Sequence, residues 1–248
     1  MKKNLEDLKL IVQNGVSDNE SINNWAVNYY DQFLERFIED IELVEKYSPK
    51  NGHILDIGSA PFYTTYLLRE KGFQIQAIDI NPENYKPFIN QTGLEVHKTN
   101  IETEKLPFED STFDVILFSE VFEHLRIDLI NTMSEFKRVL KPGGILLLST
   151  PNFFEIEKLF NLIFKGRTAP IYEEYKLLQE HGFMGHVREY TAKDVKIFME
   201  KLGYQCLKTH YRGKAPFNKG IKRYMRAFVH RIFPRFRKWF LLVLKNEK

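Results

Sequence analysis

Four short apolar runs punctuate the first 150 residues: His53-Ile-Leu-Asp-Ile57, Gln74-Ile-Gln-Ala-Ile78, Asp114-Val-Ile-Leu-Phe118 and Gly144-Ile-Leu-Leu-Leu-Ser149, with a weaker run from Leu94 to Lys98. Each has strand length, and near-continuous apolar strands are what a parallel sheet covered on both faces requires. Between them, apolar positions recur every three or four residues over Phe62 to Lys71 and Ile127 to Leu140, which predicts helices. The turn Lys141-Pro-Gly-Gly144 leads into the fifth strand. Trp25, Tyr29, Phe33, Phe37, Ile41 and Val44 make Asn24 to Lys46 an amphipathic helix that ends before Pro49, its aromatics packed in a core or stacked on a substrate. Beyond a helix over Thr191 to Leu202, Gly203 to Tyr211 and Trp239 to Leu244 read as sixth and seventh strands. The alternation predicts an α/β fold.

His53 to Asp79 is a strand, a tight turn at Gly58-Ser-Ala-Pro61, a helix and a second strand ending in an acid. Open α/β sheets bind ligands at the carboxyl ends of their strands, where Gly58 lets the backbone approach and Asp79 can accept hydrogen bonds from both hydroxyls of a ribose. A nucleoside suits such a site; the alternative is an ordinary crossover unit whose acids merely end strands. Ala60 and Phe62 stand where further glycines would continue the pattern, and a bulky Phe62 would crowd a pyrophosphate, which argues against a dinucleotide.

Asp56-Ile-Gly-Ser-Ala-Pro-Phe62, Asp79, Leu106-Pro-Phe108, Phe113-Asp-Val-Ile116 and Leu140-Lys-Pro-Gly-Gly144, in this order over residues 50 to 152, resemble the class I S-adenosylmethionine-dependent methyltransferases. The resemblance implies a Rossmann-like, seven-stranded, mostly parallel sheet with helices on both faces, an N-terminal helical cap and a lid insertion after strand five. The expected divisions are a cap over 1–50, a cofactor-binding core over 51–152, a lid and substrate insertion over 153–190, and the C-terminal part of the sheet with a basic amphipathic helix over 191–248. S-adenosylmethionine would lie against Asp56, Gly58, Ser59, Ala60, Asp79, Ile80, Asn100, Ile101 and Ser119, with Gly58 under its methionine part. Asn100 stands where the family usually has an acid near the adenine.

Glu120, Glu123 and His124 stand at i, i+3 and i+4, so a helical segment would turn all three to one side. Two carboxylates and an imidazole can grip a divalent cation and leave positions open for substrate oxygens; the alternative is a solvated helix start whose acids suit the helix dipole. Glu-x-x-Glu-His, Ser149-Thr-Pro-Asn152 and His186-Val-Arg-Glu-Tyr-Thr191 together are similar to a branch that includes ubiquinone-biosynthesis O-methyltransferases and enzymes methylating the 3′-terminal 2′-hydroxyl of small RNAs. The RNA enzymes' magnesium or manganese ligands would fall on Glu120, Glu123, His124 and His186. Without a metal, His124 or His186 is the candidate general base, unless either is a core histidine satisfying a carbonyl.

The 248 residues, 43% hydrophobic and 28% charged, suffice for one sizeable α/β core. A lone Cys206 excludes an internal disulfide and fits a reducing compartment, and acids in the first residues with no long apolar run argue for a cytoplasmic protein, at most peripheral at the inner face of the membrane. Thirteen Lys or Arg and no acid fall between Lys201 and Asn246, leaving 23 basic and 33 acidic residues elsewhere. Such a block contacts an anionic partner or is a solvated face. Within it, Lys219, Lys222, Arg223, Arg226 and His230 oppose Ile221, Tyr224, Met225, Phe228, Val229 and Ile232 on a helix ended by Pro234, so residues 214–238 are the candidate contact with an anionic membrane surface. The insertion from Phe153 to Gly185, with Gly166, Gly182 and Gly185 as hinges, reads as an aromatic lid over a pocket or as packing on the sheet.

The leading expectation is O-methylation of a small-molecule, saccharide or lipid-linked acceptor. An RNA 2′-O-methyltransferase is second, since such enzymes carry RNA-binding domains for which this length leaves no room. A non-catalytic scaffold of the same fold is third.

Overall fold

The computed structural model describes residues 2–167, 171–181, 186–213 and 221–247, with the side chains of 2, 174, 177, 178, 180, 181 and 221–226 outside that description. Gly182, Gly185 and residues 214–220 therefore lie outside it, as do the side chains of Ile221, Lys222, Arg223, Tyr224, Met225 and Arg226. The elements are α1 (Lys2–Asn14), α2 (Glu20–Tyr47), β1 (His53–Ile57), α3 (Tyr63–Glu70), β2 (Gln74–Asp79), α4 (Lys86–Thr92), β3 (Val96–Lys98), β4 (Phe113–Ser119), α5 (Leu129–Val139), β5 (Leu140–Pro151), α6 (Ile156–Lys165), α7 (Ile171–His181), α8 (Ala192–Lys201), β6 (Tyr204–Arg212), α9 (Ile221–Ile232) and β7 (Trp239–Asn246). Seven strands form one sheet in the order β3-β2-β1-β4-β5-β7-β6. Two compact units divide the chain: Met1–Ser119 with Ile127–Leu147 and Lys245–Lys248, and Glu120–Arg126 with Leu148–Leu244.

In the first unit the pairings β1–β2, β1–β4 and β2–β3 are parallel. Ile54, Leu55, Ile78, Val115, Ile116 and Phe118 are fully buried, as strands covered on both faces must be. Register places Ile57 opposite both Ile78 and Phe118, so β1, β2 and β4 end together. The chain leaves β1 towards β2 on one side and meets β4 on the other, which makes the β1/β4 boundary a topological switch point.

Local signals explain the helix starts. Asn19 caps α2 by accepting from the Ser21 and Ile22 amides, Asp128 caps α5 through the Asn131 amide, and Thr191 caps α8 through the Asp194 amide. The predicted turn at Lys141-Pro-Gly-Gly144 lies inside a longer β5 instead, with Gly143 in the left-handed region at φ +74°. Arg138 fixes the Leu106-Pro-Phe108 loop, donating to the carbonyls of Leu106 (3.0 Å) and Phe108 (2.7 Å) while paired with Glu135 and Asp110. In α2 the buried face holds Ala26, Tyr30, Phe37, Ile41 and Val44, whereas Trp25 is exposed and Tyr29 and Phe33 are half-buried. The expected stripe is therefore rotated. The same buried face carries two charged residues, Arg36 and Asp40.

Buried Asn246 closes the first unit, its amide nitrogen donating to the carbonyls of Lys137 (3.4 Å), Leu140 (3.2 Å) and Lys141 (3.2 Å). Asn246→Ala strips these carbonyls of their partner and should cost about 1–3 kcal/mol in urea denaturation, with an unchanged denaturant slope.

Candidate functional site

The turn after β1 is a compact hydrogen-bonded knot. Gly58, at φ +66°, donates to the Ile78 carbonyl (2.8 Å), and the Phe62 amide closes a turn on the Ser59 carbonyl (2.7 Å) around a cis Ala60–Pro61 bond. Asp79, at the end of β2, reaches across to this turn: one carboxylate oxygen accepts from the Ala60 amide (3.2 Å), the other from the Asn81 amide (2.9 Å). Burial raises its pKa above the ordinary range, against the pull of these amides. Phe62 does not crowd the turn. Its side chain is fully buried against Tyr85, ring centroids 5.7 Å apart, so the steric argument against a larger ligand fails.

Asp56 lies beneath, buried and accepting from the Thr65 hydroxyl (2.7 Å). Burial pushes its carboxyl up to about 7, opposed by the Thr65 bond and reinforced by Asp40 and Asp79. Ser119, the last residue of β4, donates its hydroxyl to buried Asp40 of α2 (3.2 Å). Register sets Ser119 beside Gly58, so Asp40 stands over the switch point. Asn100 accepts from the Glu102 amide (3.1 Å), a bond that occupies one lone pair of its side-chain oxygen; Ile101 is half-buried and Ile80 exposed. Sequence reasoning missed Asp40 and Arg36. Their spacing of four, on the face of Phe37, Ile41 and Val44, was the available signal.

The second unit gathers a different chemistry. Glu120 has φ +60°, and Phe122–His124 turns as a 3-10 element, so the expected helical face of Glu120, Glu123 and His124 does not form. Glu120 accepts instead from the Ser149 hydroxyl (2.6 Å). Phe122 is buried between Tyr190 and Phe198, which anchors the turn. The amides of Val187 (2.9 Å) and Arg188 (3.2 Å) both donate to the Glu123 carbonyl, drawing His186 in.

Ligand atoms of Glu123, His124 and His186 consequently lie within 4.8 Å of one another. Glu123 is buried, one oxygen accepting from the Thr150 hydroxyl (2.8 Å) and the other 3.9 Å from Nε2 of each histidine. His186 Nδ1 lies 3.0 Å from Glu189, which also accepts from Lys158 (2.6 Å). Burial raises the Glu189 carboxyl, but the bonds and charges of His186 and Lys158 outweigh it and hold the pKa below the ordinary value. An ionised carboxylate only accepts, so in this contact His186 Nδ1 is the donor and Glu189 the acceptor.

The sequence profile of the methyltransferase-domain family matches residues 28–209. The chain belongs to this family. It is similar to the uncharacterized methyltransferase YodH of Bacillus subtilis, 28% identical over 64% of this chain and 76% of that protein. It is also similar to a ubiquinone biosynthesis O-methyltransferase of Cereibacter sphaeroides, 31% identical over 40% of this chain and 41% of that enzyme. A methyltransferase structure from Archaeoglobus fulgidus superposes with TM-score 0.60 at 18% identity, covering 88% of this chain and all of that one. Fold and family agree: the chain is a class I, S-adenosylmethionine-dependent methyltransferase.

The residues of this methyltransferase suit that cofactor. Ser59 Oγ is shielded from solvent and has no hydrogen-bond partner among the described residues, which leaves a polar atom for a ligand at the turn. The Gly58 turn and the Asp79 carboxylate sit at the switch point with buried Asp40 and Asp56 behind them, matching a nucleoside that carries a cationic amino-acid tail. Among the described residues no helix is long and apolar enough to cross a membrane.

The elevated Asp56 carboxyl has a thermodynamic consequence. Between the ordinary carboxylate value and about 7 the folded chain keeps a proton that the unfolded chain has lost. Its contribution to stability is complete at low pH and disappears as pH rises to about 7, at up to about 1.4 kcal/mol per pH unit. Asp56→Asn, which can still accept from Thr65, should flatten this decline when urea denaturation is compared at about pH 5 and about pH 7. Parallel slopes for the two proteins would place the titration elsewhere.

Proposed function

We propose that this methyltransferase transfers a methyl group to a hydroxyl of a small-molecule, saccharide or lipid-linked acceptor, and that Glu123, His124 and His186 hold and deprotonate that hydroxyl. The observation that carries the reading is the convergence of a buried carboxylate and two imidazoles within 4.8 Å. S-adenosylmethionine supplies an already activated methyl group, so the protein's share is positioning, exclusion of water and removal of one proton. Asp79 and the Gly58 turn would hold the ribose, with Asp56, Ser59, Ala60, Ile80, Asn100, Ile101 and Ser119 lining the remainder. Residues 51–152 would form the cofactor-binding core and 153–190 the substrate insertion.

His186 is the better placed base, because Glu189 fixes its tautomer and stabilises the imidazolium that forms when it accepts the proton. The same three side chains would suit a divalent cation. The Glu189–His186 pairing is the usual support of a histidine ligand, whose ring is oriented and made more basic by a carboxylate behind it. One carboxylate and two imidazoles form a softer donor set than the all-oxygen cage magnesium prefers, so manganese is the better fit of the two metals expected. Bound there, a cation would lower the pKa of an attacking hydroxyl and favour acceptors with two adjacent hydroxyls. The ubiquinone-biosynthesis relative, an O-methyltransferase by name, supports oxygen as the atom methylated.

Calorimetric titration of the metal-stripped protein with S-adenosylhomocysteine should give a binding heat in wild type and in Glu123→Ala alike. Manganese should give a second heat that weakens by at least about 100-fold in the variant, more than the loss of a partner that merely supports a ligand. No heat with the homocysteine product would overturn the enzymatic reading; no manganese heat would leave His186 to act as a base alone.

A further inference from the structure

Helix α6 is an amphipathic helix whose apolar side is half-buried at Ile156 and Leu159 and turned to water at Phe160, Ile163 and Phe164. Ile156, Leu159, Phe160, Ile163 and Phe164 follow the spacing i, i+3, i+4, i+7, i+8 of a single stripe, yet no residue of the helix is buried. Phe160 is 53% exposed, Ile163 70% and Phe164 70%, with the two phenyl rings 4.7 Å apart. The expectation that this segment simply packs down therefore fails. An apolar stripe of this kind marks a surface that something else covers.

The flanking charges identify what covers it. Exposed Lys165 and Arg167 close the C-terminal end of α6. At its other end, Asn152 donates to the carbonyls of Arg235 (2.7 Å) and Arg237 (2.8 Å), and its amide to that of Lys238 (2.9 Å). This ties the cationic loop after α9 to the strand end from which exposed Phe153, Phe154 and α6 spring. That loop follows Phe228, Ile232 and Phe233, also exposed and interleaved with Arg231 and Arg235, in a stretch of 13 Lys or Arg without an acid. Exposed aromatic and aliphatic side chains bordered by cations are the composition of an element lying in an anionic lipid interface; a partner protein would be expected to bring acids to meet these cations, whereas phospholipid brings phosphate and acyl chain at once.

The polar side of α6 faces the catalytic cluster. Lys158, on that side, bonds Glu189 and lies 3.7 Å from Glu155, and Glu189 in turn holds His186. One helix thus carries an open apolar stripe on one side and the support of the candidate base on the other. We infer that α6, with Phe153, Phe154 and the exposed end of α9, docks on the surface of a bilayer containing anionic phospholipid, and that docking presents a membrane-borne acceptor to Glu123 and His186. The second half of this inference rests on the proposed role of those two residues in holding and deprotonating the acceptor.

The test is co-sedimentation with vesicles of phosphatidylglycerol and phosphatidylcholine, and with phosphatidylcholine alone, at low and high salt, without cofactor or metal. Wild type should bind the anionic vesicles at least about tenfold more strongly than the neutral ones, with the difference shrinking in high salt. The combined variant Phe160→Ser, Ile163→Ser, Phe164→Ser should lose at least about tenfold of that binding. Its S-adenosylhomocysteine affinity should stay unchanged, which shows that it is folded. Phe164→Trp should shift its fluorescence to shorter wavelength on the vesicles and be quenched by brominated acyl chains. Equal binding of wild type and the serine variant, an unquenched tryptophan, or a wild-type dimer that the serine variant dissolves would each overturn the inference. Because no cofactor or metal is present, such a failure is separate from failure of the catalytic assignment.

Discussion

The parallel, in-register pairing of β1 with β2 and β4 is the constraint on which the first unit depends. Because Ile57 stands opposite Ile78 and Phe118 at once, the residues just beyond them on each strand, Gly58, Asp79 and Ser119, come to one edge without any loop having to reach for them. Parallel strands need crossovers, and the crossover direction reverses at β1/β4, where α2 reaches the edge through Asp40. Asp79 then uses the arrangement twice: one carboxylate oxygen fastens the Ala60 amide of the neighbouring turn and the other holds the Asn81 amide beyond β2. A slip of one residue in β2 would turn Asp79 to the other face and free the turn as well.

Acids in this protein are handled in two opposite ways. Asp56 is buried with a hydroxyl and near other acids, so its proton is retained up to about 7. Glu189 is also largely enclosed, but Lys158 and His186 donate to it and it ionises more readily than usual. The first environment favours the neutral acid; the second favours an anion that accepts from a neighbouring ring. Neither behaviour follows from the residue type, since both are carboxylates; Asp56 is buried with no cationic partner among the described residues, and Glu189 is half-buried between Lys158 and His186.

The central strands were legible because burial on both faces leaves an unbroken apolar run, and β1, β2 and β4 fall within a residue of where their composition puts them. The edge strand β3 is only three residues, half-buried, and its pattern is correspondingly faint. Glu120, Glu123 and His124 were legible as chemistry but not as geometry. Spacing arguments presuppose an α-helix, whereas Glu120 adopts φ +60° and the segment turns as a 3-10 element, so Glu120 reaches Ser149 while His186 arrives through two amides on the Glu123 carbonyl. No periodicity encodes such a long-range backbone contact. Arg36 and Asp40 were hidden for the converse reason: charged residues inside an apolar stripe read as its border until tertiary contacts bury them.

Periodicity also cannot distinguish an apolar stripe that is covered from one that is not. α2 and α6 both show clean helical spacing, but α2 buries Phe37, Ile41 and Val44 and α6 buries nothing. The difference lies in the other side of each helix. On its polar side Lys158 ties α6 to Glu189, while of its apolar side only Ile156 and Leu159 are half-buried. Hydrocarbon left in water costs the free chain stability, so a surface that takes it up is favoured, and that surface would meet a helix whose other side holds Glu189 through Lys158.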